Sequence, residues 1–367
     1  MTKVLLIVIT FFIVFNRDIY AQQITSTTEK AVKIGLLIRD NKSRSARNGA
    51  EMAIDKANKK EESGGFYFQL VIKSMEGPWG TGSKQAVDLI FNDNVWAIMG
   101  SHDGQNAHLV EQVITKMRTV FLSAWASDPT LSQAFVPWYF SCVPNNNQQA
   151  TAFIEEIYTK RKISKIAIVS DIDYDSKKAL ESFVNKSKLE GKSEPLQFFY
   201  DNSTKNLNKL LTKIYEADVH GIMLFGQPSA SLNFIQQLRH RKMEHPIFGS
   251  FSLLGERGLE AIELSNYNDV TLATSGNWLD ELTFQKEYRE KYGKTPNAVA
   301  AYAFDGMNLL IESIRNSGFD REKIQEAMSK IQYKGVTGSI QFDKKGNRLD
   351  AGGLIKINNG IPVTIEE

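Results

Sequence analysis

Continuous apolar stretches alternate with amphipathic stretches along the first half of the chain. The sequence predicts strands at VKIGLLI, FYFQLVIK, VWAIMG and TVFLS, and helices between them at 48–58, SKQAVDLIFND and 106–117. Strands that are apolar on both faces are typical of parallel sheets with helices on both sides. The pattern therefore predicts an α/β fold with a doubly wound parallel sheet.

The same order of elements begins again after Tyr139–Pro144. A helix is predicted from Gln148, followed by the strands KIAIVS, LQFFY, GIMLF, PIFGSF and VTLATS with helices between them. Helices at 281–292, 298–317 and 321–330 come next, and then short strands. Asp343–Gly346 is predicted to be a turn in which Gly346 takes a positive φ. We expect two lobes, with the helical block returning to the first and the last strands completing the second.

Two of the predicted strands end in loops of small and polar residues. These loops are Gly100–Gln105 and Ser123–Pro129. In open α/β sheets the carboxyl ends of the strands face a crevice, where backbone N–H groups and hydroxyls can bind a small polar molecule. The sequence therefore predicts a ligand crevice at these loops.

The first residues predict a secretory signal peptide, 1–21. Lys3 precedes an apolar run, Val4–Phe15, and Ala21 offers a cleavage site. A transmembrane anchor is the alternative, but the run of about twelve residues falls short of the roughly 20 that span a bilayer. We therefore expect a secreted protein, and the family resemblance given below implies the periplasm.

Composition and net charge argue against some classes of function. The chain has 367 residues, which agrees with two domains, and a formal net charge of +2, which argues against electrostatic capture of nucleic acid. Cys142 is the only cysteine, so no intrachain disulfide can form. The five histidines show no spacing typical of metal ligands.

Six segments, in order, resemble the type 1 periplasmic binding proteins, in the branch that binds leucine, isoleucine and valine for ABC transporters. They are VKIGLL with NGAEMAIDKAN, KQAVDLIFNDNVWAIMG, FLSAWASDPTLS, KIAIVSDIDYDSKKAL, AYAFDGMNLLIESI and GVTGSIQFDKKGN. The resemblance implies two doubly wound lobes joined by three crossing strands, near 141–144, 275–278 and 331–335. Lobe 1 would comprise 32–143 plus 276–331, and lobe 2 would comprise 144–275 plus 332–367.

The resemblance also implies that a ligand binds between the lobes, which then close. The serine that receives a ligand carboxylate falls on Gly104, so the backbone N–H groups of Gly104 and Gln105 would remain for an anion. The groups that receive a ligand amine fall on Ala126 and Ser127, and the closing tyrosine falls on Tyr174. The acidic partner of a ligand ammonium falls on Phe251, which argues against a plain α-amino acid because an unpaired buried charge is costly.

Four further candidates complete the predicted cage: Trp125, Arg39, Asp103 and Gln227. Trp125 and Phe251 would add aromatic surface, Arg39 could receive an acidic group, Asp103 would line the crevice and Gln227 would contribute from lobe 2. The alternatives are a core position for Phe251, a surface position for Trp125 and a solvated loop for Arg39. The predicted ligand is an amino acid or a small carboxylate with an apolar or aromatic body.

The resemblance implies no covalent chemistry and no cofactor, and delivery of the solute to an ABC permease. A ligand-sensing module that partners a signalling protein is the alternative function. A phosphatase of the haloacid-dehalogenase type is a distant one, because the strand KIAIVS runs into the acids of Asp171–Asp175 but Tyr174 stands where Thr or Val belongs. An EF-hand calcium loop that starts at Asp171 is a further alternative, but serines stand at the positions where such a loop requires glycine and glutamate. Capping of the next helix by Asp175 or Ser176 explains these acids better.

Overall fold

Two sheets with helices packed against them form the part of the chain that the structure describes. This computed structural model describes residues 31–59, 65–101, 103–133, 135–201, 203–204, 206–255, 264–349 and 353–365. The predicted signal peptide lies outside these ranges. Within them, no helix has both the length and the apolar character needed to cross a bilayer.

The first sheet is parallel throughout, with strand order β2-β1-β3-β4-β5. Its strands are β1 (Ala31–Ile38), β2 (Tyr67–Ser74), β3 (Ala97–Ser101), β4 (Val120–Ser123) and β5 (Tyr139–Ser141). The connecting helices are α1 (Arg44–Lys59), α2 (Thr81–Phe91) and α3 (Gly104–Met117). Helix α3 begins two residues earlier than expected, because the Asp103 side chain caps it by accepting from Asn106 N–H. We call this sheet and its helices lobe 1.

The second sheet has strand order β14-β13-β10-β9-β8-β6-β7, parallel from β10 to β7. Its parallel strands are β6 (Ile166–Asp171), β7 (Leu196–Tyr200), β8 (Gly221–Phe225), β9 (Ile247–Gly249) and β10 (Val270–Ala273). The helices are α4 (Asn146–Ile154), which continues as a wider turn through Lys160, α5 (Tyr174–Leu189), α6 (Asn208–Glu216) and α7 (Pro228–His240). We call this sheet and its helices lobe 2.

The cap of α5 differs from the expectation. Asp173, rather than Asp175 or Ser176, is the capping residue, and its carboxylate accepts from Ser176 N–H. The reason is that the helix already begins at Tyr174, so Asp175 lies within its first turn. The Asp175 side chain is therefore available for another contact.

The last third of the chain serves both lobes. Helices α8 (Asn277–Asp280), α9 (Leu282–Tyr292), α10 (Ala298–Ser317) and α11 (Arg321–Lys330) come first. Helix α10 packs against α1 in lobe 1, so closely that a Cβ on Gly49 would lie 2.2 Å from the Ala300 carbonyl oxygen. Strands β13 (Leu354–Asn358) and β14 (Ile361–Ile365) then join β10 as antiparallel partners. This path agrees with the predicted return to lobe 1, while the residue boundaries of the lobes remain a prediction.

A buried polar cluster ties together the three places where the chain crosses between the lobes. Arg348 is only 2% exposed, and its guanidinium donates to the carbonyl oxygens of Cys142, Thr337 and Ser339 at 2.6–3.1 Å. Asp305 is fully buried and accepts from the N–H and the hydroxyl of Thr337 at 2.7 and 2.6 Å. Thr337 lies just before β12 (Gly338–Ile340), which pairs with β11 (Tyr333–Gly335). The cluster therefore anchors the third crossing to the first.

The second crossing joins the same cluster, and the predicted turn packs beside it. The Ser275 hydroxyl donates to the Thr337 carbonyl oxygen at 2.8 Å. In the turn, Gly346 has φ +80°, and a Cβ there would lie 2.1 Å from the Tyr139 carbonyl oxygen, so only glycine fits. The predicted positive φ is thus confirmed, and the Gly346 carbonyl accepts from Ser141 N–H at 2.8 Å.

Replacing Arg348 with alanine would remove the donor from three carbonyl oxygens, of which those of Cys142 and Thr337 belong to buried residues. Each such loss costs about 1–3 kcal/mol, so we expect the free energy of unfolding, measured by urea denaturation, to fall by about 3 kcal/mol or more. Arg241→Ala is the matched control, since Arg241 is exposed and bonds only to side-chain oxygens. Equal losses in the two variants would contradict the role given to Arg348.

Candidate ligand-binding site

The loops at the carboxyl ends of strands from both lobes meet in one place. The loops after β3 and β4 come from lobe 1, and those after β6 and β9 come from lobe 2. Because parallel strands all end at the same edge of a sheet, each lobe presents a row of loops there. We call the space between the two rows the cleft.

Several direct contacts between described residues cross the cleft. The Tyr174 hydroxyl of lobe 2 donates to the Asp128 carboxylate of lobe 1 at 2.7 Å. The Gly104 N–H of lobe 1 donates to the Asp175 carboxylate of lobe 2 at 2.9 Å. The rings of Trp125 and Phe251 are in contact, with 4.2 Å between their centroids and an angle of 32° between their planes. The lobes are thus held together by their own side chains.

A small cavity lies among these contacts. It is lined by Trp125, Ala126, Ser127, Asp128, Asn146, Asp175, Ala179, Ser250, Phe251 and Ser252. Its free volume is about 20 Å³, little more than the space of one water-sized sphere. An amino acid or an aromatic ring would enter only if the lobes separated and some of these side chains moved.

Asp128 is the most strongly bonded acid in the cleft. The residue is only 3% exposed. Its carboxylate accepts hydrogen bonds from His108 Nε2 at 3.1 Å, from the N–H and the hydroxyl of Thr130, and from the hydroxyl of Tyr174. Burial works against ionisation, but these hydrogen bonds outweigh it and hold the pKa of Asp128 at about 2. The carboxylate of Asp128, followed by that of Glu111, raises the pKa of His108 to about 9. At neutral pH the cleft therefore contains an intact ion pair of His108 and Asp128.

Asp175 has the opposite character. Burial in the cleft, followed by the negative charge of Asp103, raises the pKa of Asp175 to about 7, although the Gly104 N–H partly stabilises its charge. The proposed anion position at Gly104 is therefore already bonded to a carboxyl group of the chain itself. Asp175 can reach this N–H because it lies on the first turn of α5 rather than capping it, and the use of the Gly104 N–H by a ligand stays a prediction.

The other predicted residues fall into two groups. Trp125, Ala126, Ser127 and Phe251 line the cavity, and Phe251, 1% exposed, also packs against Tyr302, so it belongs to the core and to the cleft at once.

The second group does not line the cavity. Arg39 is paired with Asp103, with 3.7 Å between a guanidinium nitrogen and a carboxylate oxygen, beside the switch point between β1 and β3. Gln227 donates to Asp173 at 2.6 Å within lobe 2. Gln105 is exposed on the first turn of α3. As ligand contacts, all of the sequence-derived residues remain predictions.

Sequence reasoning missed several lining residues. Asp128 lies inside the predicted loop Ser123–Pro129, directly after the candidate residue Ser127, and could have been named with it. Ser250 and Ser252 flank Phe251 and could have been found in the same way. Asp175 carries no local signal of its role, because its partner Gly104 is 71 residues away in the chain and in the other lobe.

A second, larger groove lies on lobe 2 alone. It measures about 800 Å³ and is lined by Ile172, by β7 and by described residues of the segment that leads into α6. No described residue of lobe 1 lines it, so closure of the lobes cannot enclose it. Among the described residues, no group of three or more His, Cys, Asp or Glu side chains has the arrangement of a metal site.

Comparisons with known proteins agree with this architecture. A leucine-binding protein from Thermotoga maritima is 19% identical over 91% of this chain and 98% of that chain, with a TM-score of 0.80. The branched-chain amino acid transporter substrate-binding protein of Streptococcus pneumoniae, in complex with isoleucine, is 19% identical over 92% and 100%, with a TM-score of 0.79. A solute-binding protein of an ABC transporter from R. palustris, in complex with benzoate, is 16% identical over 91% and 95%, with a TM-score of 0.79.

The fold class and the resemblance predicted from the sequence are confirmed. A family model described as periplasmic binding protein matches residues 38–355, which is most of the chain. The protein therefore belongs to the periplasmic binding protein family.

Proposed function

We propose that the protein captures a small solute in the cleft between its two lobes and delivers it to an ABC permease. The observation that carries this proposal is the convergence of side chains from both lobes on one cavity. A site built from two halves binds best when the halves come together around the solute. Transport rather than sensing is favoured because the similar solved structures are named as transporter components.

Opening and closing about the crossings would give access to the cavity. The cluster of Arg348, Asp305 and Thr337 fixes the crossings on one side of the cleft, while the cross-cleft contacts at Asp128, Gly104 and Trp125 are few and local. Separating the lobes would break those contacts without unfolding either sheet. A solute shifts this equilibrium only by its differential affinity for the closed arrangement.

Binding would proceed in two stages. Lobe 1 would bind the solute first, through Trp125, Ala126 and Ser127 at the end of β4. Tyr174 and Phe251 of lobe 2 would then close over it. Because the rings of Trp125 and Phe251 pack against each other, we propose a solute with an apolar or aromatic body that separates the two rings and takes over their contact. The isoleucine and benzoate bound by the similar proteins are solutes of this kind.

A panel of amino acids, aromatic acids and their amides tests this function. We expect at least one solute to bind the full-length mature protein in isothermal titration and to reduce its radius of gyration in small-angle X-ray scattering. Tight binding without compaction would contradict capture between the lobes. Failure of every solute in a broad panel to bind would contradict the function itself.

Tyr174 gives a second prediction. Tyr174→Ala removes both the lid and its hydrogen bond to Asp128, and Tyr174→Phe removes the hydrogen bond alone. We expect Tyr174→Ala to weaken the affinity for the bound solute by about tenfold or more, since a hydrogen bond to a charged group contributes about 1.5–3 kcal/mol. The melting temperature should change little, as in the control Tyr215→Ala, where the side chain is largely exposed. A large loss of stability in Tyr174→Ala would instead make Tyr174 a core residue.

Closure should also depend on pH through Asp175. Its pKa is raised to about 7 in the closed arrangement and would return toward its ordinary value of 3.8 when the lobes separate. Closure is therefore favoured below about pH 4 and loses this contribution as the pH rises through about 7. The other charged groups facing Asp175 are Asp103, Asp128 and Asp173; Asp128 and its partner His108 have pKa values near 2 and 9, outside the window from pH 5 to 8.

The measurement is the chemical shift of the Gly104 amide proton between pH 5 and pH 8. We expect a titration with a midpoint of about 7 in the wild type and none in Asp175→Asn. The control Asp201→Asn, at an exposed acid of lobe 2, should titrate like the wild type. A Gly104 amide that is insensitive to pH in the wild type would contradict the contact.

A further inference from the structure

We propose that Asp175 is a specificity-determining residue that rejects solutes presenting a carboxylate to Gly104. The ligand then carries an uncharged polar group, such as an amide, at that end of its apolar or aromatic body. This inference rests on the proposed solute-binding function and deepens it by naming the class of solute.

The first argument is steric. The Gly104 N–H donates to an Asp175 carboxylate oxygen at 2.9 Å, and one N–H cannot serve two carboxylates at full strength. A Cβ on Gly104 would lie 2.9 Å from that same oxygen and 2.9 Å from the Cβ of Asp128. The position beside this N–H is thus filled by the chain, and a ligand carboxylate could reach it only by displacing Asp175.

The second argument is electrostatic. The charges of Asp103, Asp128 and Asp173 already act on the Asp175 carboxyl group, and all three are negative. The nearest cations are committed elsewhere, since Arg39 is paired with Asp103 and His108 is bonded to Asp128. A ligand carboxylate would therefore add a further negative charge to the cleft. The described cations close by already have acidic partners. A ligand amide would instead donate hydrogen bonds to these oxygens.

The third argument concerns the helix that carries Asp175. The cap of α5 is Asp173, and the partner of Gln227 is also Asp173, so the Asp175 side chain is not required for either contact. Its one hydrogen bond given by the structure crosses the cleft to Gly104. Substituting Asp175 should therefore change the cleft and leave the start of α5 intact.

Matched pairs of solutes test the inference. Leucine and leucinamide differ at the carboxyl end, as do benzoate and benzamide. Isothermal titration at pH 8, where Asp175 is ionised, compares the full-length mature wild type with Asp175→Ala. We expect at least one amide to bind the wild type at least tenfold more tightly than its acid. We also expect Asp175→Ala to bind that acid at least tenfold more tightly than the wild type does.

Asp175→Asn separates charge from shape. It keeps an oxygen that can accept from Gly104 N–H but removes the negative charge, so its affinity for the acids should lie between those of the wild type and Asp175→Ala. Asp201→Ala, at an exposed acid outside the cleft, should keep the wild-type preference. The melting temperature of each variant shows whether it is folded.

The inference is overturned if the wild type binds the acids as tightly as the amides, or if Asp175→Ala gains no affinity for either acid. Either result leaves the proposed function standing as long as some solute of the wider panel compacts the wild type. The proposed function fails separately, when no solute in that panel binds the wild type.

Discussion

The contact between Asp175 and Gly104 is the interaction on which the arrangement of the cleft depends. It joins the first turn of a helix in lobe 2 to the first N–H of a helix in lobe 1 at 2.9 Å. An acidic oxygen at a helix N-terminus is favourable because unbonded N–H groups point outward there. The same contact buries a carboxyl group among other acids, which raises its pKa to about 7. The hydrogen bond across the cleft therefore has favourable geometry, but it places a carboxylate close to other negative charges. A solute can replace such a bond at low cost.

Some contacts in the rest of the molecule keep the two lobes connected, and others break when the cleft opens. Arg348, Asp305 and Thr337 form a buried set of hydrogen bonds at the crossings, and the proposed opening of the cleft would leave them in place. Tyr174, Asp175 and Phe251 lie in the cleft, and each of them contacts lobe 1. This difference places the stability of the fold at the crossings and the response to a solute at the strand ends.

Much of this could be predicted from the sequence, and the reason is local. Apolar strands such as Ile166–Asp171 are buried along their whole length, so their continuous apolar pattern alone identifies them as central strands of a parallel sheet. Helices 298–317 and 321–330 were predicted with the bounds that the structure has. Trp125, Ala126, Ser127 and Phe251 line the cavity because the loops after parallel strands must share one edge.

The missed features depend on contacts between distant parts of the chain. The bond from Gly104 to Asp175 and the guanidinium bonds of Arg348 to Cys142, 206 residues away, have no periodic signature. The starts of α3 and α5 were displaced because the caps are Asp103 and Asp173, two or three residues earlier than the patterns suggested. Arg39 was predicted to receive an acidic group of the ligand, and the structure shows it next to the chain's own Asp103.

A crystal structure of the protein with a bound solute tests the central claim most directly. The account predicts that the solute lies between Trp125 of lobe 1 and Phe251 of lobe 2, with the two rings moved apart and both lobes in contact with it. A solute held by one lobe alone, for example in the groove along β7, would contradict it.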